Sequence, residues 1–189
     1  MIRIFIGSAD KFACCEPVIE RSILANTSEP VEITFMRPET LGIPPTGCTG
    51  FTNLRYAVPE LAGYSGFAIY LDVDMVVLGD IAELYSYQEA GKWVCMGDSS
   101  DEVSVISCGT HRHMPSLQNI HRHHKNHLKT MTRRRPAIPP CWNVEDRVEE
   151  GMKLLHFTDL DRQPWFSDNH PCPDAVEIWN AYAERPVVA

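Results

Sequence analysis

The sequence predicts an α/β fold with a mostly parallel central sheet, and three observations carry that prediction. Ile2-Arg3-Ile4-Phe5-Ile6 and Val31-Glu32-Ile33-Thr34-Phe35 alternate as strands, with a helical stretch between them. Strand, helix and strand at this spacing make a βαβ unit with a right-handed crossover between parallel strands. The most apolar run, Phe67 to Val77, begins as a buried central strand bounded by Gly63 and Gly66 on one side and Gly79 on the other.

Taken in order, the first strand ends at Gly7-Ser8-Ala9-Asp10, and in an open α/β sheet that carboxyl end is where ligands bind. Pro17 suits the first turn of a helix whose apolar face is Val18, Ile19, Ser22, Ile23 and Ala25. Residues 37–50 carry three prolines and three glycines and read as a loop. A helix is expected over residues 52–58, with Thr52 as its cap and Pro59 disturbing its end. After the central strand come a short helix over residues 81–85 and strands at 92–96 and 103–107. A helix is expected across residues 116–129, then a strand over 152–157 ending at His156. A terminal helix over residues 174–182 would bury Val176, Trp179 and Tyr182.

Composition frames this as one domain, residues 1–189, with 44% hydrophobic and 22% charged residues. A net charge of −8 argues against a protein that coats nucleic acid. No apolar run reaches membrane-spanning length, and the first residues read as a strand rather than a signal peptide, so a soluble cytoplasmic protein is expected. The seven cysteines are odd in number and lack C-x-x-C spacing, which predicts buried thiols.

Within the central run stand Asp72 and Asp74, with Val73 between them. Alternation along a strand would point both acids the same way. Two unpaired carboxylates on one side of a buried strand repel and are costly to desolvate. A divalent cation removes both problems, and hard oxygen ligands suit Mg²⁺ or Mn²⁺. A lone D-x-D is common by chance, and its structural reading is that the acids merely end the strand. An aliphatic run on each side, then Gly79-Asp80-Ile81 opening a helix, is a more specific pattern.

That pattern resembles the metal-binding D-x-D segment of GT-A-fold nucleotide-sugar glycosyltransferases, in particular the retaining family 8. His156-Phe157 followed by Pro164-Trp165 is similar to the late H-F-x-G-x-x-K-P-W signature of that family. The resemblance implies a three-layer α/β/α architecture and a site in which Asp72, Asp74 and His156 hold the metal. A nitrogen ligand beside two carboxylates favours Mn²⁺. The resemblance also assigns donor binding to Gly7, Ser8, Asp10, Arg55, Val73, Arg162 and Gln163. It places Trp142 and Asn143 at the acceptor side or lid. For Arg55, a surface salt bridge is the competing reading. Departures are visible. The family glycine has no counterpart, with Asp159 in its region, and the spacing is one residue longer. The family lysine falls on Gln163 with Arg162 beside it, and the expected base-reading acid falls on Ala9. The chain is also short for the family, which leaves out an extended acceptor or membrane-docking region.

The implied function is metal-dependent transfer of a hexose-type sugar, with retention, from a nucleotide diphosphate donor such as a UDP-sugar to an unidentified acceptor. No residue is assigned as a catalytic base. The alternatives are a catalytically degenerate nucleotide-sugar-binding protein and, further off, a nucleic-acid-binding protein. A nucleotidyltransferase would need a G-x-G-T-R type loop, which is absent.

Residues 109–143 contain no acid, seven Lys or Arg, and six of the eight histidines. This basic segment, centred on 109–135, reads as a solvated loop, as an acceptor or lid surface drawing phosphate or an acidic glycan, or as a zinc site. The zinc reading would use His111, His113, His121, His123, His124 and His127. An RNA-binding arm would want aromatic residues among the charges, and residues 109–141 have none.

Overall fold

Strands β1 (Ile2–Gly7) and β2 (Val31–Met36) pair in parallel, from Ile2 opposite Val31 to Gly7 opposite Met36. The structure, a computed structural model, describes residues 1–97 and 101–183. Between the two strands runs α1 (Glu16–Ala25), with Pro17 in its first turn where no N–H is needed. It buries Val18, Ile19, Ser22 and Ile23. Ala25 is exposed instead of completing that face. The face closes on Asn26, whose side-chain amide donates to Ser22 O and Val77 O.

The central strand β3 (Phe67–Asp72) lies parallel to β1 on its other side. Next come β6 (Ser104–Ser107), β5 (Trp93–Cys95) and β7 (Arg134–Pro136), giving the order β2-β1-β3-β6-β5-β7. Three of the five pairings are parallel, and the two that involve β6 are antiparallel. The apolar run through residue 77 does not stay in this sheet. Val73 N donates to Gly7 O at 3.0 Å, closing off the end of β1, and one residue later Asp74 O accepts from Phe157 N at 3.0 Å. β4 (Met75–Val77) then joins a second sheet, antiparallel to β9 (Leu154–His156), which pairs in parallel with β8 (Val144–Glu145). The chain therefore changes sheets at the two acids, at the carboxyl end of β1 and β3, where open α/β sheets present their ligand crevice.

Several elements differ from the sequence expectation. The 37–50 stretch holds a short helix, α2 (Pro38–Leu41), stopped by Gly42 at φ 65°. The helix expected over 52–58 is a 3-10 turn at Leu54–Ala57 followed by α3 (Val58–Leu61). Pro59 starts α3 rather than ending a helix, and Thr52 caps nothing. The helix expected across 116–129 is reduced to a 3-10 turn at Ile120–Arg122 and α5 (Lys125–Met131). Asn53 supplies a reason: its amide donates to Ile120 O at 3.3 Å and His123 O at 2.9 Å, carbonyls a continuous helix would use internally. Strands β7 and β8 have no counterpart among the expected elements.

The helix α4 (Ile81–Ser86) is capped by Asp80, which accepts from Ala82 N at 2.9 Å. The last helix, α6 (Pro173–Ala183), buries Ala175, Trp179 and Tyr182, with Ala175 taking the place expected of Val176. Trp179 packs 4.5 Å from Trp165 and 5.8 Å from Phe157, so the helix covers the back of β9. All seven cysteines are free thiols, but only Cys15, Cys95 and Cys108 are buried. No helix among the described residues is long and apolar enough to cross a membrane.

Candidate functional site

Asp72 is the last residue of β3, Asp74 lies in the turn between the sheets, and His156 is the last residue of β9. The β4–β9 register sets Met75 opposite His156 and so carries the imidazole to the acids. One ligand atom from each of the three lies within 4.8 Å of the others, and all three residues are buried. The convergence comes from the turn and the second sheet rather than from alternation along one strand.

The donor set fits a divalent cation. Asp74 Oδ1 is buried without a hydrogen-bond partner, although His156 Nε2 stands 3.2 Å away outside bonding geometry. A buried carboxylate oxygen left this way is costly unless something binds it. The other imidazole nitrogen is occupied, since His156 Nδ1 donates to Asn143 Oδ1 at 2.8 Å. That fixes the tautomer and leaves Nε2 for the site. Burial pushes the Asp72 carboxyl up to about 6, with Arg55 opposing and Asp74 adding to the rise. Burial disfavours a charged His156, but Asp74 and Asp72 outweigh it and push the imidazole up to about 9. Both groups are pushed upward, as expected where two acids and an imidazole are crowded into one buried site.

Arg55 is buried, and the surface salt-bridge reading does not hold for it. Its Nη2 donates to both oxygens of Asp72 at 3.1 Å, its Nη1 to Asp101 Oδ1 at 2.8 Å, and its Nε to Thr52 O at 2.9 Å. The Tyr70 hydroxyl, two residues along the same strand face, also donates to Asp72 Oδ1. Asp72 is thereby aimed by two donors before any ligand arrives.

The remaining expected residues divide. Gln163 is fully buried and turned inward, donating to Asp74 Oδ2 at 3.3 Å and Phe157 O at 2.8 Å. Arg162 points elsewhere, its Nε donating to Asp159 Oδ2 at 2.7 Å on the exposed surface. The structure thus does not bring the Arg162 charge to the acids, because Asp159, three residues earlier, holds it locally. Gly7 and Ser8 sit under the site, with Ser8 Oγ buried and unpartnered. Val73 is buried in the turn between the acids. Asp10 is exposed and faces Arg37 at 3.3 Å. Trp142 is fully buried, so it packs the core and forms no lid. Asn143 acts behind His156 rather than at an acceptor surface, and its Nδ2 donates to Glu145 Oε1 at 3.3 Å.

Above the triad opens a cavity of about 680 Å³, with Asp72, Asp74 and His156 in its lining. One wall is the turn around residues 45–49, and another is the basic segment at His121, His123, His124 and Lys125. Glu102, Glu145 and Thr158 also face it. The segment therefore divides: Arg112, His113, Arg122, His124, His127, Arg133 and Arg135 are exposed, as a solvated loop would have them, while Lys125, Lys129 and Arg134 turn toward an acid. Lys125 and Lys129 approach Asp101 Oδ1 at 3.8 Å and Arg134 approaches Oδ2 at 3.9 Å. The zinc reading is corrected: among the described residues Asp72, Asp74 and His156 form the one metal-competent group of His, Cys, Asp or Glu. His111 is turned into the core against Trp93 instead. Asp101, Glu102, Glu145, Thr158 and Lys125 carry no local sequence signal that marks them as site residues. Only the long acid-free stretch hints that an acid elsewhere must receive its cations.

No family model matches the chain. Protein CDI of Arabidopsis thaliana is 31% identical over 121 residues, 60% of this chain and 42% of that protein. The match thus spans less than half the length of that curated relative. The galactosyltransferase LgtC, in crystals with donor and acceptor sugar analogs, superposes with a TM-score of 0.74 at 13% identity, covering 100% of this chain and 97% of its own. The chain has the GT-A glycosyltransferase fold. A second GT-A structure, the glycosyltransferase GlyE of Streptococcus pneumoniae TIGR4, superposes with a TM-score of 0.67 at 15% identity over 98% of this chain and 61% of its own. The six-stranded sheet, the sheet change at the acids and the crossing β4–β9 pair are how this sequence realises the GT-A fold.

Proposed function

We propose that this protein is a metal-dependent glycosyltransferase that takes a sugar from a nucleotide diphosphate donor. The observation that carries the reading is the buried Asp72, Asp74 and His156 group in the lining of a 680 Å³ cavity on a GT-A fold. Asp72, Asp74 and His156 would hold the cation, Mn²⁺ or Mg²⁺. When bound, it supplies positive charge to neutralise the departing diphosphate. Arg55 and Tyr70 hold Asp72 in place, Asn143 holds His156, and Gln163 holds Asp74. The walls at residues 45–49 and 121–125 flank the cavity and would shield a bound donor from water. A UDP-sugar of the hexose type, and transfer with retention, complete the proposal. No protein nucleophile is needed if the acceptor attacks from the face that the diphosphate leaves.

A second reading, a nucleotide-sugar-binding protein without transfer, is favoured by one observation: Arg162 is held by Asp159 and away from the acids.

Thermal unfolding with UDP, GDP, CDP and ADP, each with and without Mn²⁺, tests the donor site in wild type and Asp74→Asn. A ligand at about 100 times its dissociation constant stabilises by about 2.7 kcal/mol, roughly 5–10 °C for a domain of this size. The expected result is a shift that needs both metal and one nucleotide and disappears in Asp74→Asn. No shift with any pair in folded protein overturns the reading. Release of sugar from the matching donor then separates an enzyme from a binding protein.

A further inference from the structure

We propose that the wall formed by His121, His124 and Lys125 recognises an oxyanion of the substrate, either a phosphate of the donor or the carboxylate of a sugar acid. The proposal rests on the donor-site reading above and names the chemistry that site selects.

The cavity holds Asp72, Asp74, Glu102 and Glu145, and Arg55 is consumed by Asp72 and Asp101. Two charges bound to one cation at the triad leave the rest of a nucleotide sugar facing carboxylates unless another cation lines the cavity. Arg162 does not, because it lies on Asp159. Lys125 does. Its ammonium stands 3.5 Å from Glu102 and 3.8 Å from Asp101, the loose end of ion-pair range, and it has three N–H donors to distribute. Asp101 Oδ1 also takes the bond from Arg55 Nη1, so the lysine is one carboxylate away from the residue that aims Asp72.

Two histidines, His121 and His124, line the same wall. His124 Nδ1 accepts from Asn126 N at 3.2 Å, which in the neutral ring puts the proton on Nε2 as an available donor. His121 lines the wall beside it, with its Nδ1 buried beneath the cavity surface. The wall is also rigid, since Asn53 ties Ile120 O and His123 O to the opposite turn, and Glu60 Oε2 accepts from Leu117 N at 2.6 Å. Donors held in place by groups outside the site are what anion recognition needs, because their ordering is complete before the ligand binds.

The test is calorimetric titration of full-length wild type, Lys125→Met, Lys125→Arg and His124→Gln in Mn²⁺. Three probes are used: the nucleoside diphosphate that stabilises the protein, its neutral hexose ester and its uronate ester. One charge-assisted contact corresponds to roughly tenfold or more in affinity. Loss of that size in Lys125→Met for all three probes, with Lys125→Arg largely spared, supports recognition of the diphosphate. Loss for the uronate alone, in a wild type that prefers it to the hexose ester, supports recognition of the sugar carboxylate. If wild type binds the nucleoside diphosphate and the variants bind all three probes as well as it does, the wall proposal is overturned while the donor reading stands. If no nucleotide binds, the donor reading falls and the wall proposal falls with it.

Discussion

Asn143 Oδ1 accepts a hydrogen bond from His156 Nδ1 at 2.8 Å, and the same amide donates through Nδ2 to Glu145 Oε1. One side chain thus sets the imidazole tautomer and ties it to a carboxylate that faces the cavity. The strand register explains the arrangement: β8 runs beside β9 with Glu145 opposite His156, so the residue before β8 falls behind the imidazole.

Asn143→Ala is therefore expected to weaken Mn²⁺ binding by about 10–100-fold, the usual cost of losing the partner of a ligating histidine. Asn143→Asp retains an acceptor for Nδ1 but faces Glu145 with a like charge, and should fall between the two. Calorimetric metal titration reads this directly. Equal affinity in wild type and Asn143→Ala would make Asn143 an ordinary buried amide with no bearing on the site.

Asp101 is the second positioning residue. It accepts from Arg55 Nη1 and from the Tyr56 hydroxyl, and Lys125, Lys129 and Arg134 gather around it. Removing one partner of a buried ion pair costs about 3–5 kcal/mol, because the other charge is left uncompensated. Asp101→Asn should lose about that much stability in urea unfolding at pH 7. Burial opposes ionisation of Asp101, but Arg55, Tyr56 and the lysines outweigh it and hold the carboxyl below its usual range. A depressed carboxyl contributes stability above the unfolded value, about 3.9, and loses it as pH falls through the lower folded value. The gap between wild type and Asp101→Asn should close below about pH 4. A gap that stays constant through acid would show that the carboxylate charge is not what the site uses.

The difference between what was legible and what was not follows from range. Asp72, Asp74 and His156 each sit in a short window of alternating or apolar residues whose pattern announces a buried strand end, so both halves of the candidate site can be read locally. The same holds for β1, α1, β2 and β3. Asp101 is chosen by cations up to 33 residues further on, Arg134 among them, and nothing beside it in the chain marks it. β7 and β8 are short strands specified by Trp93–Cys95 and by β9 rather than by their own residues. Arg162 is not legible from its place beside the expected lysine position, because a charge there is only useful if nothing nearer claims it, and Asp159 does.

His111 gives a pH dependence of opposite origin to that of Asp101. Its Nδ1 donates to Ser107 O at 2.9 Å and its Nε2 accepts from Arg133 N at 3.3 Å, so the neutral ring is satisfied on both sides. Trp93 N takes the Arg133 carbonyl at 2.9 Å, which makes His111 and Trp93 together the anchor of β7. Burial holds the imidazole below its usual range, with the Ser107 bond opposing. The unfolded chain then takes up the proton more readily than the folded one, so stability from this group is full above about pH 6.5 and is lost as pH falls through the folded value. His111→Phe keeps the packing on Trp93 and removes the titration. Its urea midpoint at pH 7.5 should be lower than that of wild type, while its decline from pH 7 to pH 5 should be shallower. Parallel pH profiles for the two proteins would assign the acid sensitivity to other groups.

Gly7 owes its identity to Tyr70 as much as to any ligand. A Cβ at Gly7 would collide with the Tyr70 hydroxyl and stand 2.9 Å from Phe51 Cδ2. That hydroxyl is the one that donates to Asp72 Oδ1, so the absence of a side chain on β1 lets β3 hold its own acid at the candidate site. Overpacking of this kind costs about 1–3 kcal/mol, and Gly7→Ala should lose that much while displacing the hydroxyl from Asp72. Tyr70→Phe removes the colliding oxygen. In that background Gly7→Ala should cost distinctly less, a coupling of about 0.5–3 kcal/mol in a double-mutant cycle. Phe51 remains close, so the relief is partial. Effects that add to within about 0.5 kcal/mol would separate Gly7 from Tyr70 and leave backbone approach to the donor as the reason for the glycine.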